Sequence, residues 1–235
     1  MSDYRTIARY WGKHKGEDIF VVGYGTSLFD FDLTRIKEFT VIAINSAIEP
    51  FFKIKGAGKR YHIFADSALS KEYKDFDYPP DYIITCQAKG EEELIRHGIH
   101  PKKIQPFAKS SNAQVKAKDD AIYICHTTAT GAIEMAWKMG AERIFLLGVD
   151  AYCWGEEETS KYYADGTPDP KKRKVIERFP DGRVIQRRHQ EYKVEMKRVR
   201  DFFDSIGEYQ DKWPGSNVYN LSPLSYIDAW EKVSV

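Results

Sequence analysis

The 235-residue chain has few cysteines, no long apolar run and no surplus of charge of either sign. Its three cysteines, Cys86, Cys125 and Cys153, stand at no metal-like spacing. That argues against a zinc module or a disulfide framework and fits reduced thiols. No uninterrupted apolar stretch approaches the roughly 20 residues that span a bilayer. The polar start Met1-Ser2-Asp3-Tyr4-Arg5 lacks the apolar core of a signal peptide. The expected location is therefore the cytoplasm, free or peripheral to the inner face of the membrane. Internal repeats are missing, which excludes solenoids and propellers. Thirty-six Lys and Arg stand against 35 Asp and Glu, a formal net charge of +1, so a dedicated polyanion binder is not expected.

What is present is apolar material and local charge. Hydrophobic residues make up 42% of the chain and aromatic ones 14%, fifteen of them tyrosine, which is too many for a disordered polymer. The length suits one large domain or two small ones. Charge is unevenly placed: residues 171–200 hold twelve basic and four acidic side chains, a net +8 that leaves −7 for the remainder. Such a segment calls for a local partner of opposite charge.

Short apolar runs alternate with polar stretches, the sequence pattern of an α/β sheet. The runs are Ile19–Val22, Val41–Ile44, His62–Ala65, Tyr82–Thr85, Ala121–Ile124 and Ile144–Leu147. Each is continuous rather than alternating, as strands covered on both faces should be. The expected fold is α/β, a single Rossmann-like domain with a mostly parallel sheet and a lid subdomain. A short surface helix is expected over 4–15. The clearest helix runs from Thr127 to Gly140, with Gly140 suited to close it. Residues 1–150 read as a nucleotide-binding core and 151–187, rich in Gly and Pro, as a lid. Within the lid Asp181-Gly182 marks a hairpin turn. Residues 188–235 would complete the core with a helix over 188–206, a strand at Val218–Asn220 and a last helix from Leu224.

Several residues could carry chemistry. Gly23-Tyr24-Gly25-Thr26-Ser27 follows the first strand directly, where glycines let backbone N–H groups approach a phosphate or ribose and Ser27 adds a hydroxyl. It lacks the third glycine of a dinucleotide fingerprint and the Gly-Lys-Ser/Thr of a P-loop, so a plain tight turn stands beside the nucleotide reading. Asn45 and Asp66 follow the second and third strands, at the sheet end where open α/β folds bind ligands. Each also suits a helix N-cap. Thr127 and Thr128 open the clearest helix, where N–H groups and hydroxyls make an anion site or, again, a cap. Tyr152 and Tyr162 lie where phenol hydroxyls can donate to phosphate oxygens, or simply pack a lid. His189 is a general-base candidate or a surface histidine in a basic stretch.

Taken in order, Gly23-Tyr24-Gly25-Thr26-Ser27-Leu28, Asn45, Thr127-Thr128, Gly148-Val149-Asp150-Ala151-Tyr152, Tyr162 and His189 give a chain that resembles the bacterial lipooligosaccharide sialyltransferases, glycosyltransferase family 42. It is similar also to the 6-hydroxymethylpterin pyrophosphokinase-like domains that share that core. The resemblance runs from about residue 18 to about 228, and it implies that the Rossmann-like domain is a GT-A-like variant. It implies that Gly23, Gly25 and Ser27 wrap the cytidine nucleotide of a CMP-sugar, with Tyr24 where the family has asparagine. Asn45 would contact the nucleotide, and Asp66 replaces a second family asparagine. Thr127 and Thr128 match a Thr-Ser pair beside the donor, without the arginine that precedes it in the family. Tyr152, with Tyr162 or Tyr163, would hold the departing phosphate, and His189 would be the base. Ser222-Pro223-Leu224-Ser225 resembles the family's closing Pro-Asn-Ser segment. The implied reaction is metal-independent single displacement from a nucleotide-sugar donor to a glycan or other hydroxyl acceptor, with no cofactor. Self-association into a homo-oligomer is implied as well. The alternatives are a metal-dependent pyrophosphokinase binding ATP and magnesium, through Asp66 and Asp150, and a non-catalytic nucleotide-binding module.

Overall fold

A computed structural model describes residues 7–28, 31–65, 73, 80–85, 88–110, 121–123, 127–150, 174–178, 184–188, 217–222, 225, 227 and 229–233. Its centre is a seven-stranded sheet. In chain order the strands are β1 (Asp18–Val22), β2 (Thr40–Ile44), β3 (Arg60–Phe64), β4 (Tyr82–Thr85), β5 (Ile104–Pro106), β6 (Ala108–Ser110), β7 (Ala121–Tyr123), β8 (Arg143–Leu147), β9 (Lys174–Arg178), β10 (Val184–Arg188) and β11 (Asn217–Asn220). The sheet runs β11-β8-β1-β2-β3-β4-β5, and every pairing in it is parallel. The chain thus starts in the middle, builds outward to β5, then crosses back to lay β8 on the other side of β1. This is a Rossmann-like, doubly wound sheet, and its strand order reverses between β1 and β8.

Alternation along each strand divides the core into two layers. Ile19, Val21, Ile42, Ile144 and Leu146 face helix α2 (Thr128–Lys138) and meet Ala132, Ile133, Met135 and Ala136. Phe20, Val22, Val41, Ala43 and Leu147 face the other way, onto Leu28, Ile36, Ala47, Ile48 and Phe51 from three 3-10 segments, Thr26–Leu28, Leu33–Ile36 and Asn45–Lys53. The sheet is therefore covered on both faces, which is why its strands read as unbroken apolar runs. A smaller cluster joins Phe64, Tyr73, Ile83 and Ile104 to Leu94 of helix α1 (Ala88–Arg96).

Three expectations change, one of them the last helix from Leu224: residues 229–233 form no helix, and Lys232 bridges Asn220 in parallel instead. The expected helix over 4–15 is only a 3-10 turn at Ile7–Tyr10. Downstream, the N–H groups of Gly12, His14 and Gly16 donate to the carbonyls of Lys138, Met139 and Gly140 at 2.8, 2.8 and 3.0 Å. Donors used to close the end of α2 cannot build a helix of their own. The run at Ala121 does not join the main sheet; β7 pairs in parallel with β6 in a separate two-stranded ribbon. The edge of the main sheet is β5 instead, three residues ending in Pro106, a residue an edge strand tolerates. Helix α1 gives no apolar period: over residues 91–96 Leu94 alone is buried, while Ile95 is exposed. The hairpin expected around Asp181-Gly182 forms, with β9 antiparallel to β10. Among the described residues no helix is long and apolar enough to cross a membrane.

Candidate functional site

Because all seven strands are parallel, Gly23, Asn45, Gly148 and Leu221 follow their carboxyl ends on one edge. The N-terminus of α2 lies on that edge too, since its opposite end is closed by residues that lead into β1. Ligands of open α/β sheets bind at this edge, at the reversal of strand order. The turn after β1 and the turn after β8 meet there.

Their contact is very close. The N–H of Gly23 donates to Leu147 O and that of Gly25 to Gly148 O, both at 2.8 Å. A Cβ on Gly25 would fall inside 3.0 Å of both the Asp150 carboxyl and the Gly148 carbonyl. Gly148 has φ +65, and a Cβ there would press on the carbonyl of Gly23. Asp150, buried at 3% exposure, accepts the Ser27 N–H at 3.0 Å and also the Ser27 hydroxyl through a short hydrogen bond. Behind it, Ser222 accepts the Gly148 N–H at 2.9 Å, and the Ser225 hydroxyl lies 3.2 Å from the carbonyls of Val149 and Asp150. The two turns are thus strapped into one rigid floor. The Ser27 donors face Asp150 in this arrangement.

Asn45 is not a helix cap. It opens its 3-10 segment, whose N-cap position is Ile44 with no side-chain bond, and its φ is +52. Among the described residues it is the one non-glycine residue at positive φ. That conformation costs an L residue roughly 1–2 kcal/mol, least for asparagine. Its carbonyl accepts the Nε2–H of His62 at 2.8 Å, and its side-chain amide has no hydrogen-bond partner among the described residues. His62 is fully buried in β3 and its other ring nitrogen meets the Tyr73 hydroxyl. Burial pushes the His62 imidazole down to about 3, with the Asn45 hydrogen bond opposing the shift. Sequence reasoning passed over His62, which looks like one more residue of an apolar run.

Thr127 does cap α2, with extended backbone and its hydroxyl accepting the Ala129 N–H at 3.3 Å. Thr128 beside it is buried. The positive end of the helix therefore lies along the same edge as Gly23 and Asn45. Tyr24 is half-buried, and its hydroxyl stands 3.4 Å from Glu49 in the segment after Asn45. Asp66, Tyr152, Tyr162, Tyr163 and His189 lie outside the described residues, as does most of the expected lid. Among the described residues no three His, Cys, Asp or Glu side chains group as metal ligands. A cavity of about 480 Å³ opens elsewhere, lined by Phe20, Phe31, Phe39, Phe145 and Arg35, and none of the edge residues line it.

The chain is similar to solved sialyltransferase structures. One is the sialyltransferase CstII from Campylobacter jejuni in complex with the substrate analogue CMP-3FNeuAc, at 14% identity and TM-score 0.44, covering 93% of this chain and 85% of that one. Another is CstII in complex with cytidine 5′-monophosphate, at 15% identity and TM-score 0.46, covering 94% and 86%. No protein-family model matches the chain, and no curated protein matches it.

Proposed function

We propose that the protein is a glycosyltransferase that moves a sugar from a CMP-sugar to an acceptor hydroxyl by metal-independent single displacement. The observation that carries this reading is the carboxyl edge itself: two interlocked glycine turns at the reversal of strand order, flanked by Asn45 and the N-terminus of α2. Such an edge can seat the ribose and phosphate of a nucleotide against backbone N–H groups and a positive helix end. His189 takes the proton from the attacking hydroxyl as the bond from the sugar to the phosphate oxygen breaks. Tyr152 and Tyr162 donate to that oxygen as charge grows on it, and the basic segment 171–200 adds a favourable field. The family resemblance assigns these three residues.

The test is thermal denaturation with CMP, UDP, GDP, ATP and their sugar conjugates. A ligand at one hundred times its Kd stabilises the folded state by about 2.7 kcal/mol. For a chain of this size that raises Tm by roughly 5–10 °C. CMP and a CMP-sugar should give the largest shifts, and turnover should survive EDTA but not His189→Ala. Stabilisation by ATP only with magnesium would favour the pyrophosphokinase instead. No shift with any nucleotide would sink both.

A further inference from the structure

We propose that His62 is a positioning residue of the nucleotide site, acting through the backbone of Asn45. This rests on the reading of the carboxyl edge as that site.

The three groups form one directed chain. A carbonyl can only accept, so the 2.8 Å contact with Asn45 O puts the proton on Nε2 of His62. Nδ1 of a neutral imidazole must then accept, and the Tyr73 hydroxyl donates to it. Both hydrogen-bonding positions of the ring are used, and the ring is fully buried between strand β3 and Tyr73, against which it stacks. It also packs on Phe64. The imidazole is thus fixed in place, tautomer and orientation, and burial keeps it uncharged.

What this fixed ring holds is the one strained non-glycine residue among those described. Left-handed backbone persists at a non-glycine residue only where surroundings over-determine it, and such residues gather at ligand clamps. Here the over-determining contact is the hydrogen bond from His62 across 17 residues of sequence. The strain has no purpose in closing the helix turn, because the segment from Asn45 has no side-chain cap. It does set the direction in which Asn45 leaves the end of β2, beside the glycine turn of β1, since Val22 and Ala43 are paired at the ends of those strands. The Asn45 amide has no hydrogen-bond partner among the described residues, and the proposal assigns it to the ligand. An asparagine offers both a donor and an acceptor, and so fits the edge of a nucleobase or ribose. Misdirecting it leaves those groups of the ligand unpaired.

The experiment has three arms. In the wild-type protein without ligand, ring ¹⁵N shifts should report a neutral Nε2–H tautomer for His62 from pH 5 to 8; a protonated ring or an Nδ1–H tautomer overturns the proposal. In His62→Leu, the backbone chemical shifts of Asn45 should leave the left-handed range, whereas His62→Gln, whose amide can still donate to the carbonyl, should keep them. Left-handed shifts retained in a folded His62→Leu overturn it as well. For binding, the probe is CMP: His62→Leu should weaken it about 10-fold, the loss of one good hydrogen bond, with His62→Gln within about 3-fold of wild type. In an Asn45→Ala background the same His62→Leu change should cost less than about 2-fold, since the coupling runs through the Asn45 side chain. Full independent losses in both backgrounds would make His62 merely structural. A wild type that ignores CMP while showing the expected tautomer and Asn45 shifts would fail the donor assignment and leave the clamp standing.

Discussion

Gly148→Ala should be among the most damaging single-methyl additions in the molecule, and Gly98→Ala is its control. Both glycines have positive φ, +65 and +81. An alanine in that region costs roughly 1–2 kcal/mol, partly offset by about 0.4–1 kcal/mol from restricting the unfolded chain. Gly98 has nothing within 4 Å of a new Cβ, so its replacement carries only that backbone cost. At Gly148 the methyl would meet the carbonyl oxygen of Gly23 inside 3.0 Å, a backbone atom that cannot rotate away, with the Leu28 Cβ at 3.0 Å on the other side. Overpacking of this kind costs typically about 1–3 kcal/mol more. The Gly148 variant should therefore be less stable than the Gly98 variant by about that amount, or roughly 2–12 °C in Tm for a chain of this length. Urea denaturation of the two variants and the wild type measures the difference. Equal stabilities would refute the interlocked turns, because the methyl would then have found space the structure denies it. CMP binding should weaken in the Gly148 variant even below its melting range, since the methyl pushes the glycine turn after β1.

Three further outcomes follow from named contacts. His62 stays neutral in the fold down to about pH 3, whereas in the unfolded chain it takes a proton near 6.5. The unfolded state therefore binds more protons between those values, and stability falls as pH drops through that window. Its contribution to the loss from pH 7 to 5 is about 2 kcal/mol, and urea midpoints should show that loss diminished in His62→Gln. Ser27→Ala withdraws one donor from the buried Asp150 carboxyl and should cost about 1–3 kcal/mol in the same assay. Thr127→Ala removes the cap of α2; calorimetry should show a loss of about 1 kcal/mol, and Thr127→Asn should recover most of it.

The sequence alone was enough to find the middle of the sheet and its parallel character. Val41–Ile44 and Ile144–Leu147 are apolar without a break because both faces are covered, and that property is local and legible. So was α2, announced by Thr127 at one end and Gly140 at the other. Short or polar elements escaped, such as β5 with its three residues and α1 with one buried leucine, because neither is long enough or apolar enough to leave a period. Resemblance to a family supplied roles for Tyr152, Tyr162 and His189, and periodicity could not have done so.

What only the tertiary structure decided is which turns touch. The glycines of the first turn were visible as permissive residues, but the reason for them lies in the second turn: Ser27 and Asp150 are 123 residues apart in sequence and bonded in space. Nothing in the run Arg60–Phe64 distinguishes His62 from its apolar neighbours until β3 is laid beside β2 and its ring reaches the carbonyl of Asn45. Composition and local pattern record how each segment buries itself. Hydrogen bonds between the ends of strands depend on strand order and register, and those are properties of the assembled sheet.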